Sequence, residues 1–243
     1  MAFVNYAHRG ASEYAPENTE VSFDMGLAMQ ANGIETDIQR TKDGVLVLYH
    51  DDNLNRTLSR EGSIRDYTLS ELMDMDAGIW KSEKYRGTKL MLFEDFCKKY
   101  LPLPLTFALE LKQLGIAEDV AEMIRKYRTH ENIHISSFKF EALEEMHKAD
   151  PSAKLSWLMK GDITQEKADR LKEIGGSEIC PDAKSLTKAG VQVAKKNGLD
   201  IRLWGIGSEE TMRYAVDSFA SDITGMTCNF PDKLREYLIE KGI

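Results

Sequence analysis

Gly33-Ile34-Glu35-Thr36-Asp37-Ile38-Gln39-Arg40-Thr41-Lys42-Asp43-Gly44-Val45-Leu46-Val47-Leu48-Tyr49-His50 is the stretch from which the rest of the chain is read. Gly33 to Ile38 has the character of a strand, and Val45 to His50 is a second apolar run. Asp-Gly between two such runs signals a hairpin. Within a strand Glu35 and Asp37 are two residues apart, so both side chains point to one face. If Asp43 and Gly44 form a two-residue turn, Lys42 pairs with Val45 and Asp37 falls opposite His50, where directly opposed Cβ atoms approach to about 5 Å. The spacing therefore predicts that Glu35, Asp37 and His50 crowd one face, in a pairing that a one-residue slip of register would change.

Upstream, Tyr6-Ala7-His8-Arg9-Gly10 closes another strand-like run, and His50 is followed by Asp51. A lone Glu-x-Asp is more often a solvated strand edge, and a lone His beside Asp is often only a hydrogen-bonded pair. Taken together they describe a site. Carboxylates are hard oxygen ligands for a divalent cation, and two imidazoles can give and take protons near neutral pH.

Beyond the hairpin, strand-like runs alternate with amphipathic helical ones. Leaving out Val45 to His50, the strands are Val4 to His8, Gly33 to Ile38, Leu105 to Lys112, Ile133 to Phe138, Lys154 to Met159, Glu178 to Asp182, Ile201 to Gly205 and Ile223 to Asn229. Helices are expected over Thr19 to Gln30, Ile116 to Tyr127, Phe140 to Ala149, Thr164 to Ile174, Thr187 to Asn197, Glu209 to Phe219 and Pro231 to Lys241. Eight βα units in about 250 residues have the size and rhythm of a (β/α)8 TIM barrel, an α/β fold. A doubly wound open sheet is the alternative, but no Gly-rich dinucleotide fingerprint follows the first strand. The chain thus reads as one domain over 1–243, with a β-hairpin after the second strand and a small insertion at about 51–88 over the barrel mouth. A barrel places functional side chains at the C-terminal ends of its strands. His8 ends the first, Glu35 and Asp37 the second, and Glu110 and Lys112 the third, the last two again sharing a face. Ser70 to Met73 can begin a short helix in the insertion.

The 243 residues are 42% hydrophobic, enough for one sizeable core, and carry a net charge of -8. That charge disfavours nonspecific binding to nucleic acid or to an anionic membrane, while leaving room for a locally positive phosphate pocket. No apolar run approaches the ~20 residues of a membrane span. No signal peptide precedes His8, so the expected location is cytoplasmic, with no stable membrane association. Cys97, Cys180 and Cys228 are odd in number and widely spaced, against a disulfide framework or a cysteine-built zinc site, and are expected to be small core residues. His130, His134 and His147 read as incidental. Oligomeric state is not legible.

Read in order, His8-Arg9-Gly10, Pro16-Glu17-Asn18-Thr19, Glu35-x-Asp37, Thr41-Lys42-Asp43-Gly44, His50-Asp51, Arg56-Thr57 and Glu110-Leu111-Lys112 resemble the glycerophosphodiester phosphodiesterase family, a PI-phospholipase-C-like group of TIM barrels. The likeness continues more weakly through Ser136-Ser137-Phe138, Trp204 and Thr227-Cys228-Asn229-Phe230-Pro231. Two departures stand out. Gly205-Ile206-Gly207 follows Trp204 where the family often has Thr-Val-Asn, and Asn229 stands where it often has Asp.

The resemblance implies hydrolysis of a small-molecule glycerophosphodiester to sn-glycerol 3-phosphate and an alcohol. Glu35, Asp37 and Glu110 would hold one Mg²⁺ or Ca²⁺, which prefer oxygen ligands. Arg9 and Lys112 can hold the phosphodiester oxygens. His8 and His50 are the general base and general acid, in that order by resemblance alone. Trp204 can wall the glycerol or leaving group, or serve as plain core. Two competing readings are a phospholipase-like barrel acting on intact lipid, and a catalytically silent phosphate-binding barrel. Asn18-Thr19 can cap the first helix, with Pro16 fixing its approach.

Overall fold

The computed structural model describes residues 3–128 and 132–243, so His130 lies outside the described residues. Its strands in chain order are β1 (Val4–His8), β2 (Gly33–Arg40), β3 (Leu46–Leu48), β4 (Thr106–Leu111), β5 (Ile133–Ser137), β6 (Lys154–Met159), β7 (Glu178–Pro181), β8 (Asp200–Ile206) and β9 (Gly225–Cys228). All but β3 are parallel to their neighbours, and they close in the order β1-β9-β8-β7-β6-β5-β4-β2 with β2 paired back to β1. This is a TIM barrel of eight strands.

The helices outside it are α1 (Glu20–Ala28), α2 (Phe93–Tyr100), α3 (Ala117–Tyr127), α4 (Phe140–Ala149), α5 (Gln165–Glu173), α6 (Lys188–Lys196), α7 (Glu209–Phe219) and α8 (Pro231–Lys241). α4, α7 and α8 have the bounds their apolar periodicity predicts. α2 was not anticipated, although Phe93, Phe96, Cys97 and Tyr100 follow the i, i+3, i+4, i+7 spacing of one buried face. It completes the βα rhythm after the insertion, and the rings of Phe96 and Tyr100 pack against Phe23 of α1 with centroids 5.1 and 5.5 Å away. Apolar side chains between strands and helices form the bulk of the core. Cys97 and Cys228 are free and buried there, and Cys180, also free and buried, turns its Sγ to Glu178 Oε2 at 3.5 Å.

The hairpin differs from its predicted register. Ile38 faces Leu48 and Arg40 faces Leu46, while the Thr41 N–H donates to the Val45 carbonyl at 2.9 Å. Lys42-Asp43-Gly44 is thus a three-residue loop with Gly44 at φ +90°, the arrangement in which the last residue takes the left-handed conformation. Asp37 consequently lies opposite Tyr49, whose N–H donates to the Asp37 carbonyl, and not opposite His50. His50 falls beyond the end of β3 and turns to the mouth from there.

The segment between β3 and α2 has a small core of its own. Leu54, Leu58, Ile64, Leu72, Ala77 and Leu90 pack on Val47 and Tyr49. It contains short helices at Asn55–Leu58 and Leu69–Met73, the second capped by Thr68 and Glu71.

The lumen departs from the usual filling of branched aliphatic side chains. Arg202 of β8 is fully buried and donates through Nε to Glu178 of β7 at 3.0 Å, and His134 of β5 stands 3.6 Å from the same carboxylate. His134, read as incidental, therefore belongs to a buried charged layer beneath the mouth.

Candidate active site at the barrel mouth

The turn after β1 explains why His-Arg-Gly is needed there. Arg9 takes φ +56° and Gly10 φ +82°, and a Cβ on Gly10 would come within 2.4 Å of Ser22. Only glycine lets the start of α1 approach so closely. The Arg9 N–H donates to the backbone carbonyl of Glu35 at 2.9 Å and to its Oε2 at 3.1 Å. Asn18, also at positive φ, uses its amide as a clamp: Nδ2 donates to Asp37 Oδ2 at 2.9 Å and Oδ1 accepts from Thr36 at 2.8 Å. Thr19 caps α1, its N–H donating to Ser22 Oγ, so Asn18 serves the site and Thr19 the helix.

His8, Arg9, Glu35, His50 and Glu110 line one side of a cavity of about 370 Å³. Phe138, Leu158, Trp204 and Ile206 line the other, with Arg202, Thr227 and Asn229 also on its wall. Asp37 and Lys112 stand against its charged side: Lys112 Nζ is 2.9 Å from Glu110 Oε1 and 3.8 Å from Asp37 Oδ1, and Arg9 Nε is 3.1 Å from Asp37 Oδ2. Trp204 is held edge-on to Phe138, with ring centroids 4.9 Å apart, and its indole N–H donates to the Cys180 carbonyl at 3.0 Å. All eight predicted site residues thus meet at one mouth.

Oxygens of Glu35, Asp37 and Glu110 come within 4.8 Å of one another, and Asp37 Oδ1 is buried without a hydrogen-bond partner. Three hard oxygen donors with one unsatisfied atom among them suit a divalent cation. A second carboxylate and imidazole group, Glu17, His50 and Asp51, does not offer the same opening, because Arg56 already binds both of its carboxylates.

The electrostatics separate the carboxyls. Burial, followed by the charge of Asp37, raises Glu35 well above the carboxylate range, and burial with Asp37 also raises Glu110 against the pull of Lys112. Burial alone would raise Asp37 too, but Arg9 and Lys112 outweigh it and hold Asp37 ionised. Burial, and then Arg9, lower His8 to about 3, so its ring is neutral. His8 Nδ1 lies 2.6 Å from Asn229 Oδ1; with that amide oxygen accepting, Nδ1 carries the hydrogen and the Nε2 lone pair is left free. His50 Nδ1 lies 2.8 Å from Asp51 Oδ1.

The chain matches the model of the Glycerophosphoryl diester phosphodiesterase family over residues 8–233. It belongs to that family. Relatives agree over the whole length. A glycerophosphodiester phosphodiesterase of Caldanaerobacter subterraneus subsp. tengcongensis is 30% identical over 100% of both chains, and one of Bacillus altitudinis is 31% identical over 95% of this chain and 97% of its own. Among solved structures, the glycerophosphodiester phosphodiesterase of Agrobacterium tumefaciens str. C58 is 25% identical with a TM-score of 0.83, covering 97% of this chain and 100% of its own. An Oleispira antarctica phosphodiesterase solved with the product sn-glycerol-3-phosphate shares the fold at 23% identity and TM-score 0.88, over 97% and 96% of the two chains. Within this family frame, sequence reasoning quoted Glu17, Asp51, Arg56 and Asn229 as motif residues without giving them a task, and it missed Arg202 at the cavity wall. Arg202 precedes Trp204 by two, a spacing that puts both on one face of a strand. No helix among the described residues is long and apolar enough to cross a membrane.

Proposed function

We propose that this chain hydrolyses small soluble glycerophosphodiesters to sn-glycerol 3-phosphate and an alcohol, with one Mg²⁺ or Ca²⁺ held by Glu35, Asp37 and Glu110. The observation that carries the reading is the convergence of three carboxylates, two cationic side chains and two imidazoles on one cavity. The cation, when bound, supplies Lewis-acid stabilisation of charge at phosphorus. Arg9 and Lys112 add positive charge beside it and orient the non-bridging oxygens.

The neutral ring of His8, with Nε2 free, suits a general base. It takes a proton from the attacking oxygen as that oxygen bonds to phosphorus: attack by water gives sn-glycerol 3-phosphate directly, and attack by the glycerol 2-hydroxyl gives a cyclic phosphate that a water then opens. The bond from phosphorus to the alcohol oxygen breaks, and His50 supplies the proton that oxygen needs. Asp51 at Nδ1 of His50 orients the ring for donation from Nε2. Trp204 and Phe138 offer an apolar wall to the organic part of the substrate.

The test is turnover of glycerophosphocholine with release of sn-glycerol 3-phosphate. Exhaustive chelation should abolish it, and Mg²⁺ or Ca²⁺ should restore it. Full activity after chelation overturns the metal. Comparable rates on phosphatidylcholine vesicles would move the lipid-directed reading to first place, and no turnover of any diester would leave a phosphate-binding barrel.

A further inference from the structure

Arg56 lies in the short helix of the mouth insertion, behind the cavity wall, yet its guanidinium touches both residues that carry the site's chemistry at one remove. Nε donates to Asp51 Oδ2 at 2.7 Å and Nη2 to Asp51 Oδ1 at 2.9 Å. Nη1 and Nη2 donate to Glu17 Oε2 and Oε1, each at 2.7 Å. Asp51 Oδ1 is in turn the partner of His50 Nδ1, and Glu17 Oε1 accepts from Arg9 Nη1 at 3.1 Å. One guanidinium thus grips two carboxylates, each through both oxygens, and each carboxylate grips a residue that lines the cavity. The Trp80 ring, 5.2 Å from the guanidinium carbon, covers the plane.

We infer that Arg56 is a positioning residue: through Asp51 it fixes the ring and tautomer of His50, and through Glu17 it fixes the guanidinium of Arg9. The chemistry requires an arginine. Two paired contacts in one plane match the fork of a guanidinium, which a lysine ammonium, a single point charge, cannot reproduce. Burial opposes ionisation of Asp51, but the hydrogen bond from His50, followed by the hydrogen bonds and charge of Arg56, outweighs it and holds Asp51 ionised. An ionised Asp51 can only accept, so Nδ1 of His50 carries a hydrogen whether the ring is neutral or protonated, and Nε2 is left to exchange a proton with the substrate. Without Arg56, Asp51 and Glu17 are two adjacent anions with no common counter-charge, free to turn away from His50 and Arg9.

A purely structural role is a poor account of this geometry. The Arg56 side chain is 42% exposed, against 11% for Glu17 and 19% for Asp51, so its ion pairs contribute little to global stability. The insertion is held instead by Leu54, Leu58, Ile64 and Leu72 on Tyr49.

The catalytic consequence rests on the function proposed above for His50, and the experiment separates the two. Ring ¹⁵N spectra taken once His50 is titrated to its neutral form report its tautomer directly: the wild type should then show hydrogen on Nδ1, and Arg56→Gln should give a mixture with the Nε2-protonated form. The tautomer decides the inference by itself, and an unchanged tautomer overturns it. Turnover of glycerophosphocholine by Arg56→Gln should fall ~10- to 100-fold, the usual range for residues that orient a functional ligand. Arg56→Lys should remain within about threefold of Arg56→Gln, because charge alone does not restore the forks. Arg56→Ala should be rescued by added guanidinium and not by urea, an outcome that unfolding cannot imitate. Asp51→Asn and Arg56→Gln should be non-additive, the double variant losing little more than the worse single one. If His50→Ala keeps wild-type turnover, the role proposed for His50 fails while the tautomer shift still tests Arg56. If His50→Ala is crippled but Arg56→Gln is not, the inference about Arg56 alone fails.

Discussion

Asp37 Oδ2 lies 3.1 Å from Arg9 Nε, whereas the side chain of Glu35, two residues earlier on the same strand face, receives from Arg9 only its backbone N–H. Lys112 and Asn18 also attend Asp37. The two neighbours therefore contribute with opposite sign when no cation is bound. Asp37 is a buried anion with partners, and removing one side of such a pair typically costs about 3–5 kcal/mol. Glu35 is crowded by the charge of Asp37, so neutralising it relieves repulsion.

In chelator, Glu35→Gln should therefore raise the melting temperature and Asp37→Asn should lower it, on a scale of roughly 2–4 °C per kcal/mol for a chain of this size. Both variants should lose the stabilisation that Mg²⁺ or Ca²⁺ gives the wild type, about 2.7 kcal/mol at 100 times Kd. Thermal scans with and without cation read both effects. Shifts of the same sign for the two variants would contradict the division of labour between these carboxyls.

Asp37 also marks how far the sequence alone could carry the site. The period-two spacing of Glu35 with Asp37, and of Glu110 with Lys112, placed four charged groups at the mouth because strand alternation is a local property. The pairing of Asp37 was misjudged because the turn decides register, and Asp43-Gly44 fits a three-residue loop as well as a two-residue one. His50 reached the mouth regardless, since it lies beyond the strand end and escapes the pairing. α2 was hidden by its position after an irregular insertion, although its apolar spacing was regular. The Arg56 forks and the Arg202–Glu178 pair were illegible for another reason. They join residues 39, 5 and 24 positions apart, and only the closed barrel and the folded insertion bring such partners together.

The lumen pair has its own signature in acid. Burial opposes ionisation of Glu178, but Arg202 and His134 outweigh it and lower its pKa from 4.5 to about 2. A carboxyl depressed in the folded state contributes stability that is fully present above its unfolded value and is lost as pH falls toward the folded one. The wild type should therefore be more stable than Glu178→Gln near neutrality, and the gap should close between about pH 4.5 and pH 2. His134 is lowered as well, chiefly by burial, and adds a loss that begins below its unfolded value of 6.5. Because Glu178 raises His134 in the wild type, this loss is larger in Glu178→Gln, so both proteins are compared in a His134→Gln background, where it is absent. Urea unfolding of the two at pH 7, 5, 4 and 3 checks this, and a gap independent of pH would exclude Glu178 as the titrating group.

The two histidines can be told apart by the leaving group. His8 holds its Nδ1 against Asn229 and His50 holds its own against Asp51, so both present Nε2 to the mouth, one beside a neutral amide and the other beside an anion. The neutral amide fixes the hydrogen of His8 on Nδ1 and leaves its Nε2 lone pair to take a proton, and the proton for the leaving oxygen then falls to His50, oriented by Asp51. A nitrophenolate departs with little need of a proton, whereas a choline or glycerol alkoxide cannot. His50→Ala should therefore retain much more of its relative activity on a nitrophenyl diester than on glycerophosphocholine, while His8→Ala loses both. On the natural diester each loss should fall within ~10²- to 10⁴-fold, the usual contribution of general acid or base catalysis. The reverse pattern exchanges the two roles. Equal losses on both substrates for both variants would mean that the imidazoles position phosphate and do not transfer protons, and a small loss for either on glycerophosphocholine would remove that histidine from the reaction.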